Sequence, residues 1–270
     1  MKKQNNSISS RMKIYEAVPK NFLTIGCPKI IRLDMRAGHT FCKYFKRPFD
    51  DVFSECMIAT TKALCEQVPG VVLGYTQSDE ISLVINDKTK NNEINLFFNG
   101  NVEKIVSITA SIATIAFNKK YAEIVGNLKD DAMIELYSPN LWKAQFDSRT
   151  FCLPDVSEVH NYILSRQQDA TRNSIQMVGH ANFSNAEMRN KNSSEIQDML
   201  ITKGINWNNY PSKFKRGCIV VKEIYEKDVT LPNGENISGV KRKRWAEKEI
   251  PILTKEPDFI SSLWEKSSQL

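Results

Sequence analysis

The apolar residues of this chain change period in a fixed order along its first half, and that order leaves few folds open. "KIIRL" (29–33) is a short apolar run that ends at Asp34. In the following "RPFDDVFSECMIATTKALCEQ", Phe49, Val52, Phe53, Cys56, Ala59, Thr60 and Ala63 recur at helical spacing, and Pro48 suits the start of that helix. "PGVVLGYT" and "ISLVIND" then read as two strands joined by the short link "QSD", a hairpin signal. "NVEKIVSITASIATIAFNKKY" is a second helix with Val102, Ile105, Val106, Thr109, Ile112, Ala113 and Ala116 toward the core, and "AMIELY" (132–137) reads as a further strand. The order is β-α-β-β-α-β, the split ferredoxin-like unit, so the expected fold class is α+β with an antiparallel sheet.

"SPN" (138–140) marks the expected boundary between a first unit, 1–139, and a C-terminal region, 140–270. There Asp155 opens a long helix with Glu158 three residues on, a capping-box spacing, and the helix is expected to run through "VSEVHNYILSRQQDATRNSIQMVGH". "SSEIQDMLITKG" reads as a further helix capped by Ser193 or Ser194 and ended by Gly204. "GCIVVKEIY" and "GVKRKRWAE", flanking the turn "LPNGEN", read as a closing hairpin.

Bulk properties exclude some classes. With 270 residues there is enough chain for a real core. No run approaches the roughly 18–20 apolar residues of a membrane span. The N-terminus carries two early lysines but no apolar stretch after them, so no signal peptide is read and the first ten residues are expected to be a loose tail. The net charge of +6 favours a polyanionic partner. Six cysteines without a CxxC pair read as free thiols of a reducing, cytoplasmic setting, and the three histidines lack zinc-ligand spacing.

The candidate chemistry lies in three acids. Asp34 ends the first strand, and Asp79 and Glu80 sit at the hairpin link. In a β-α-β-β-α-β unit the first strand and the hairpin can lie side by side, and two carboxylates so placed can bind Mg²⁺ ions that hold a nucleoside triphosphate. Period-two alternation sends Asp79 and Glu80 to opposite faces, which makes Asp79 the partner of Asp34. The carbonyl of Met35 is a further available ligand where the chain turns. Ser78 offers either a phosphate contact or a turn hydrogen bond. No Walker loop or GxGxxG is present. Tyr162, Arg166, Asp169 and Asn173 share one helix face, either as a solvated face or as a stripe toward a nucleotide or RNA. "KRKRW" (241–245) offers phosphate contacts or a solvated strand edge.

Taken in order, these motifs resemble the tRNA-His guanylyltransferase family and its "-like" members that repair tRNA 5′ ends. "RLDMRAGH" resembles the family's RLDGRNFH, "FKRPFD" its F-x-K-P-x-D, and "YTQSDEISLVI" its YGQSDEYSFVF. Lys104, Ser107 and Ser111 match a K-x-x-S-x-x-x-S helix, "SRQQDATRNS" resembles WRQ-x-D followed by asparagine, and "GINWNNYPSKFKRGCIVVK" resembles the closing segment. Departures stand at Met35, a glycine in the family, at Met133, an arginine there, and at "TRNSIQM", where only Asn173 remains of an H-I-N-N-L-Y-N block.

The resemblance implies a polymerase-like palm run in the 3′-to-5′ direction, with two Mg²⁺ ions and ATP, GTP or other nucleoside triphosphates as substrates and tRNA as partner. It implies Asp34, Asp79 and Glu80 as catalytic acids and Asp34, Met35 and Asp79 as metal ligands. Arg36, His39, Arg47, Ser78, Lys104 and Ser107 would contact the nucleotide, and Arg166, Asp169 and Asn173 the tRNA or a second nucleotide. A homo-oligomer, dimer or tetramer, is implied as well. The altered block favours templated 5′-end repair over addition of a single guanosine to tRNA-His. The palm is also the fold of nucleotide cyclases, although their GG[DE]EF signature is absent, and a homologue that binds RNA without catalysis is the third reading.

Overall fold

The computed structural model describes residues 7–88, 93–230 and 236–269. Where a loose tail was expected, Ser7 caps a helix, α1 (Ile8–Ala17), that has no buried residue. Strand β1 (Lys29–Met35) leads into the single turn α2 (Gly38–Phe41) and the long α3 (Asp51–Gln67). Asp50 caps α3 by accepting a hydrogen bond from the Phe53 N–H, so the helix starts three residues after the expected Pro48. Strands β2 (Val71–Gln77) and β3 (Glu80–Ile85) form the hairpin, followed by α4 (Val102–Gly126).

The next element is not the strand expected at 132–137. Asp131–Tyr137 is a helix, α5, capped by Asp130. Met133, Leu136 and Tyr137 point into the core, a spacing of three and four that a helix satisfies. The fourth strand is β4 (Phe146–Cys152), hidden in sequence because its pattern, FDSRTFC, is that of a half-exposed edge. Helix α6 (Val156–Asn182) is capped by Asp155 as expected. After the short α7 (Asn185–Met188), α8 (Ser193–Thr202) is capped by Asn192 in a reciprocal arrangement with Glu195, one residue before the expected serines. Helix α9 (Ser212–Arg216), the hairpin strands β5 (Cys218–Thr230) and β6 (Asn236–Glu249), and α10 (Phe259–Gln269) complete the chain. Most of the expected hairpin turn, residues 231–235, lies outside the described residues.

The six strands form one antiparallel sheet in the order β4-β1-β3-β2-β5-β6. Strands β4 and β5 follow the SPN turn in sequence, yet they flank the strands that precede it. Alternation sorts the two faces. Ile31, Leu33, Ile81 and Leu83 pack with α3 and α4, where Phe41, Phe45, Phe53, Phe117 and Tyr121 form an aromatic cluster. Ile30, Leu73, Tyr75 and Val84 pack on the other face against Val159 and Ile163 of α6 and Ile260 of α10. The far half of α6 makes a third cluster with α8 and Trp207. Helix α6 therefore runs from under the sheet to beyond its end, and the open space between its C-terminal half and α3 lies beside the β2–β3 turn.

Candidate active site

Antiparallel register brings the acids together. Asp34 stands opposite Glu80 on β3 and opposite Asp147 on β4. Asp79 occupies the two-residue turn with Ser78, whose φ of 48° is the left-handed conformation a tight hairpin demands. The Met35 N–H donates to the Asp79 carbonyl at 3.0 Å, which ties the turn to the end of β1. Burial and the neighbouring Asp79 charge push the Asp34 carboxyl above its ordinary pKa, with Asp147 adding to the effect and Arg32 and Arg149 opposing it. Like charges are thus held side by side at one sheet end. The Asp79 carboxylate lies against Gly38: a Cβ built there would fall 2.9 Å from Asp79 Cγ.

This donor set fits Mg²⁺. Among the described residues no group of three or more His, Cys, Asp or Glu side chains forms a metal cage. Mg²⁺ requires none, since it keeps several waters and binds through one or two carboxylates and the phosphates of its substrate.

Glu80 does something different. As alternation requires, it turns away from Asp79; it is buried and receives Arg32 Nη2 at 2.6 Å and Arg166 Nη1 at 3.6 Å. Burial raises its pKa while both guanidinium groups lower it. Arg166 also pairs with Asp169 at 2.7 Å, and Asp169 with Arg172. Tyr162 shares a hydrogen bond with Ser82 at 3.0 Å. The polar face of α6 is therefore largely a clamp that fixes this helix to β3.

A cleft of about 290 Å³ opens beside Asp79. Four further expected residues line it: His39, Arg47, Ser78 and Asn173. Its walls add groups that sequence reasoning missed: Gly38, Lys46 and Lys213, together with an apolar lining from Phe49, Phe53, Met57, Ile58, Met177 and Phe214. Phe49 stacks on Phe214 with ring centroids 4.8 Å apart. Helical spacing in α3 and the "SKFK" stretch were the available signals, but nothing local shows that these segments meet. Eight expected site residues lie outside the cleft lining, Asp34, Met35 and Glu80 among them. Arg36 is exposed and donates to Gln145. Lys104 and Ser107 lie on the exposed first turns of α4. Arg166 and Asp169 belong to the clamp.

A cationic and polar mouth, an apolar interior and the Asp79 carboxylate at one edge suit a phosphorylated ligand with a flat base. A family model described as tRNAHis guanylyltransferase matches residues 9–154, more than half of the chain. The chain belongs to this family. It is a nucleotidyltransferase with the family's palm-like fold.

An uncharacterized protein of Acanthamoeba polyphaga mimivirus is 31% identical over 242 residues, 83% of this chain and 80% of that protein. The tRNA(His) guanylyltransferase of Neurospora crassa is 26% identical over 257 residues, 87% and 83% of the two chains. Among solved structures, a bacterial tRNA(His) guanylyltransferase-like protein in complex with ATP superposes with a TM-score of 0.81 and 35% identity, covering 95% of this chain and 98% of its own. The structure of such a protein with GTP gives a TM-score of 0.74 at the same identity. No described helix is long and apolar enough to cross a membrane.

Proposed function

We propose that this member of the tRNA-His guanylyltransferase family is a Mg²⁺-dependent 3′-to-5′ nucleotidyltransferase that repairs tRNA 5′ ends. The observation that carries the reading is Asp79, which lines a cleft with cationic, polar and apolar walls and whose charge acts on Asp34 at the end of the neighbouring strand. One feature favours repair over addition of one guanosine to tRNA-His: only Asn173 remains of the asparagine-rich block expected for the latter.

In this reading ATP activates a tRNA 5′-monophosphate by adenylylation. The 3′-hydroxyl of an incoming nucleoside triphosphate then displaces AMP, and the new 5′ end is trimmed of pyrophosphate. A 5′-triphosphate end enters without activation. Asp34, Asp79 and the Met35 carbonyl would hold the metal, which when bound would neutralise phosphate charge and favour attack at phosphorus. Arg47 and Lys46 attract the polyphosphate to the cleft, beside Lys213, which pairs with Asp51 at 2.8 Å, and the Ser78 hydroxyl donates to it. Phe49, Met57 and Met177 exclude water around the base. Glu80 acts through α6 rather than on the phosphates.

The test is nucleotide addition to a panel of 5′-truncated tRNAs and full-length tRNA-His, with each nucleoside triphosphate. Wild-type protein is expected to add the template-matched nucleotide to several truncated tRNAs, and Asp34→Ala and Asp79→Ala to add none while remaining folded. Guanosine-only addition to tRNA-His replaces repair with the narrower reaction. A cyclic product from ATP or GTP alone, or full turnover by both variants, overturns the proposal.

A further inference from the structure

All six cysteines are free thiols in the fold, but they are not equivalent. Cys56, Cys65 and Cys218 are buried, and burial pushes all three thiols up. Cys42 lines the cleft, and burial pushes it up to about 12. Thiols so placed resist reaction. Cys27 and Cys152 differ. Both are only half-buried, and they meet at one point although far apart in the chain. The Thr24 carbonyl accepts from the Cys27 thiol at 3.3 Å and from the Cys152 thiol at 3.7 Å. The two thiols also lie within hydrogen-bonding reach of each other.

Backbone pairing makes this meeting. The edge strand β4 runs antiparallel to β1 with Cys152 opposite Lys29, and the Leu153 N–H donates to the Pro28 carbonyl at 2.9 Å. Just before β1 the chain turns at residues 25–26, where Gly26 has a φ of 81°. That turn is itself anchored. The Gly26 N–H donates to Asp87 Oδ2 at 3.0 Å, and Lys29 Nζ donates to the Cys27 carbonyl at 2.9 Å, so the turn is tied to the buried Lys29–Asp87 pair. Both cysteines are thus presented from fixed backbone, which is what a disulfide requires of its two ends. A thiol is a weak donor, so two thiols on one carbonyl contribute little to the reduced fold.

We propose that Cys27 and Cys152 are a reversible oxidation site that closes a disulfide between the turn before β1 and the end of β4. The oxidant is a small-molecule disulfide of the glutathione class. The Cys27 thiolate, its proton released to water, attacks one sulfur of the oxidant. That S–S bond breaks, a mixed disulfide forms and one glutathione thiolate leaves. The Cys152 thiolate then attacks the Cys27 sulfur, the protein disulfide forms and the second glutathione thiolate leaves. Two electrons pass from protein to oxidant, and two protons pass by way of water to the released glutathiones. Burial and the hydrogen bond with Cys27 push the Cys152 thiol up, which makes Cys27 the first to react. In a reducing setting the pair stays as thiols, and the link forms as oxidised glutathione accumulates. It encloses residues 27–152, and with them Asp34, Asp79 and Asp147. A link across so long a segment restricts the unfolded chain strongly. Neither cysteine lines the cleft, so the link acts on stability and not on access to the cleft.

The test is to equilibrate the full native chain in glutathione buffers of increasing oxidised fraction, trap the remaining thiols by alkylation, and read the mass and the peptide map. The expected result is the joint loss of two alkylatable thiols and a peptide that links Cys27 to Cys152. The linked protein is expected to melt roughly 5–10 °C above the reduced one, and dithiothreitol to restore the lower value. Cys152→Ser is expected to stop at a mixed disulfide of Cys27 with glutathione, and neither Cys27→Ser nor Cys152→Ser to gain stability on oxidation. Absence of the linked peptide at every buffer composition overturns the proposal. So does a linked peptide that forms only after unfolding in urea, a link between two chains on a non-reducing gel, or a melting temperature that does not rise on linking.

Discussion

Gly38 offers a sharp test of how closely the acids are held. Its backbone is helical, at the first position of α2, so alanine is allowed by the backbone there. The added methyl has one obstacle. It falls 2.9 Å from Asp79 Cγ and 3.1 Å from Asp79 Cβ, and nearer still to Oδ2, where ordinary contact begins at 3.4 Å. The carboxylate is the far end of a side chain and yields by rotating, a displacement of about 1 Å, and a misplacement of that size costs about a hundredfold in rate, near 2.7 kcal/mol of barrier. Gly38→Ala is therefore expected to melt within a few degrees of wild type and to lose about two orders of magnitude in kcat for nucleotide addition, with the tRNA Kd unchanged. The assay is single-turnover addition beside a thermal melt. Wild-type kcat in a folded Gly38→Ala protein refutes the claim that the Asp79 position against Gly38 matters, and global unfolding refutes the claim that only a side chain must move.

Two further outcomes follow from the ion pairs. Glu80→Gln leaves Arg32 and Arg166 facing each other without their shared anion, and truncating one partner of a buried pair costs about 3 kcal/mol, so denaturant unfolding should show that loss together with faster proteolysis within α6. Lys29 and Asp87 pair at 2.6 Å with both side chains 2% exposed, so Lys29→Met should destabilise by about 3–5 kcal/mol and the double variant Lys29→Met/Asp87→Leu should recover most of it, as read from urea midpoints.

Elements with a continuous buried face were legible in the sequence. β1, β3 and α4 announce themselves by uninterrupted or periodic apolar residues, and Ile105, Thr109 and Ala113 face the core as their spacing requires. "AMIELY" was ambiguous because six residues satisfy a strand period and a helix period equally, and only the packing of Met133 and Tyr137 beside α4 decides. β4 was invisible because an edge strand carries polar residues on its open side. The pairing of Asp34 with the hairpin acid was legible because topology alone brings those strands together. Asp147 followed from a strand that was not read, so its place opposite Asp34 was not. Lys104 and Ser107 show the opposite limit: a motif match locates a residue in the chain, whereas its distance from the cleft depends on how the first turn of α4 leaves the sheet. The cleft walls come from segments around residues 49–58, 170–177 and 213–218, and no local pattern records that such distant segments converge.

The strand order has a consequence for how the protein comes into being. Asp34, Asp79 and Asp147 are all synthesised by the time Cys152 leaves the ribosome, and the strands that carry them can already pair. The wall supplied by α6 and by residues 213–218 arrives some twenty to sixty residues later, and β2 waits until then for its outer neighbour. A nascent chain therefore owns these three acids before it owns the cleft wall, and an open strand edge stays exposed through that interval. Ordering the acids first and the enclosure last makes the final third of translation the step at which the molecule becomes able to act.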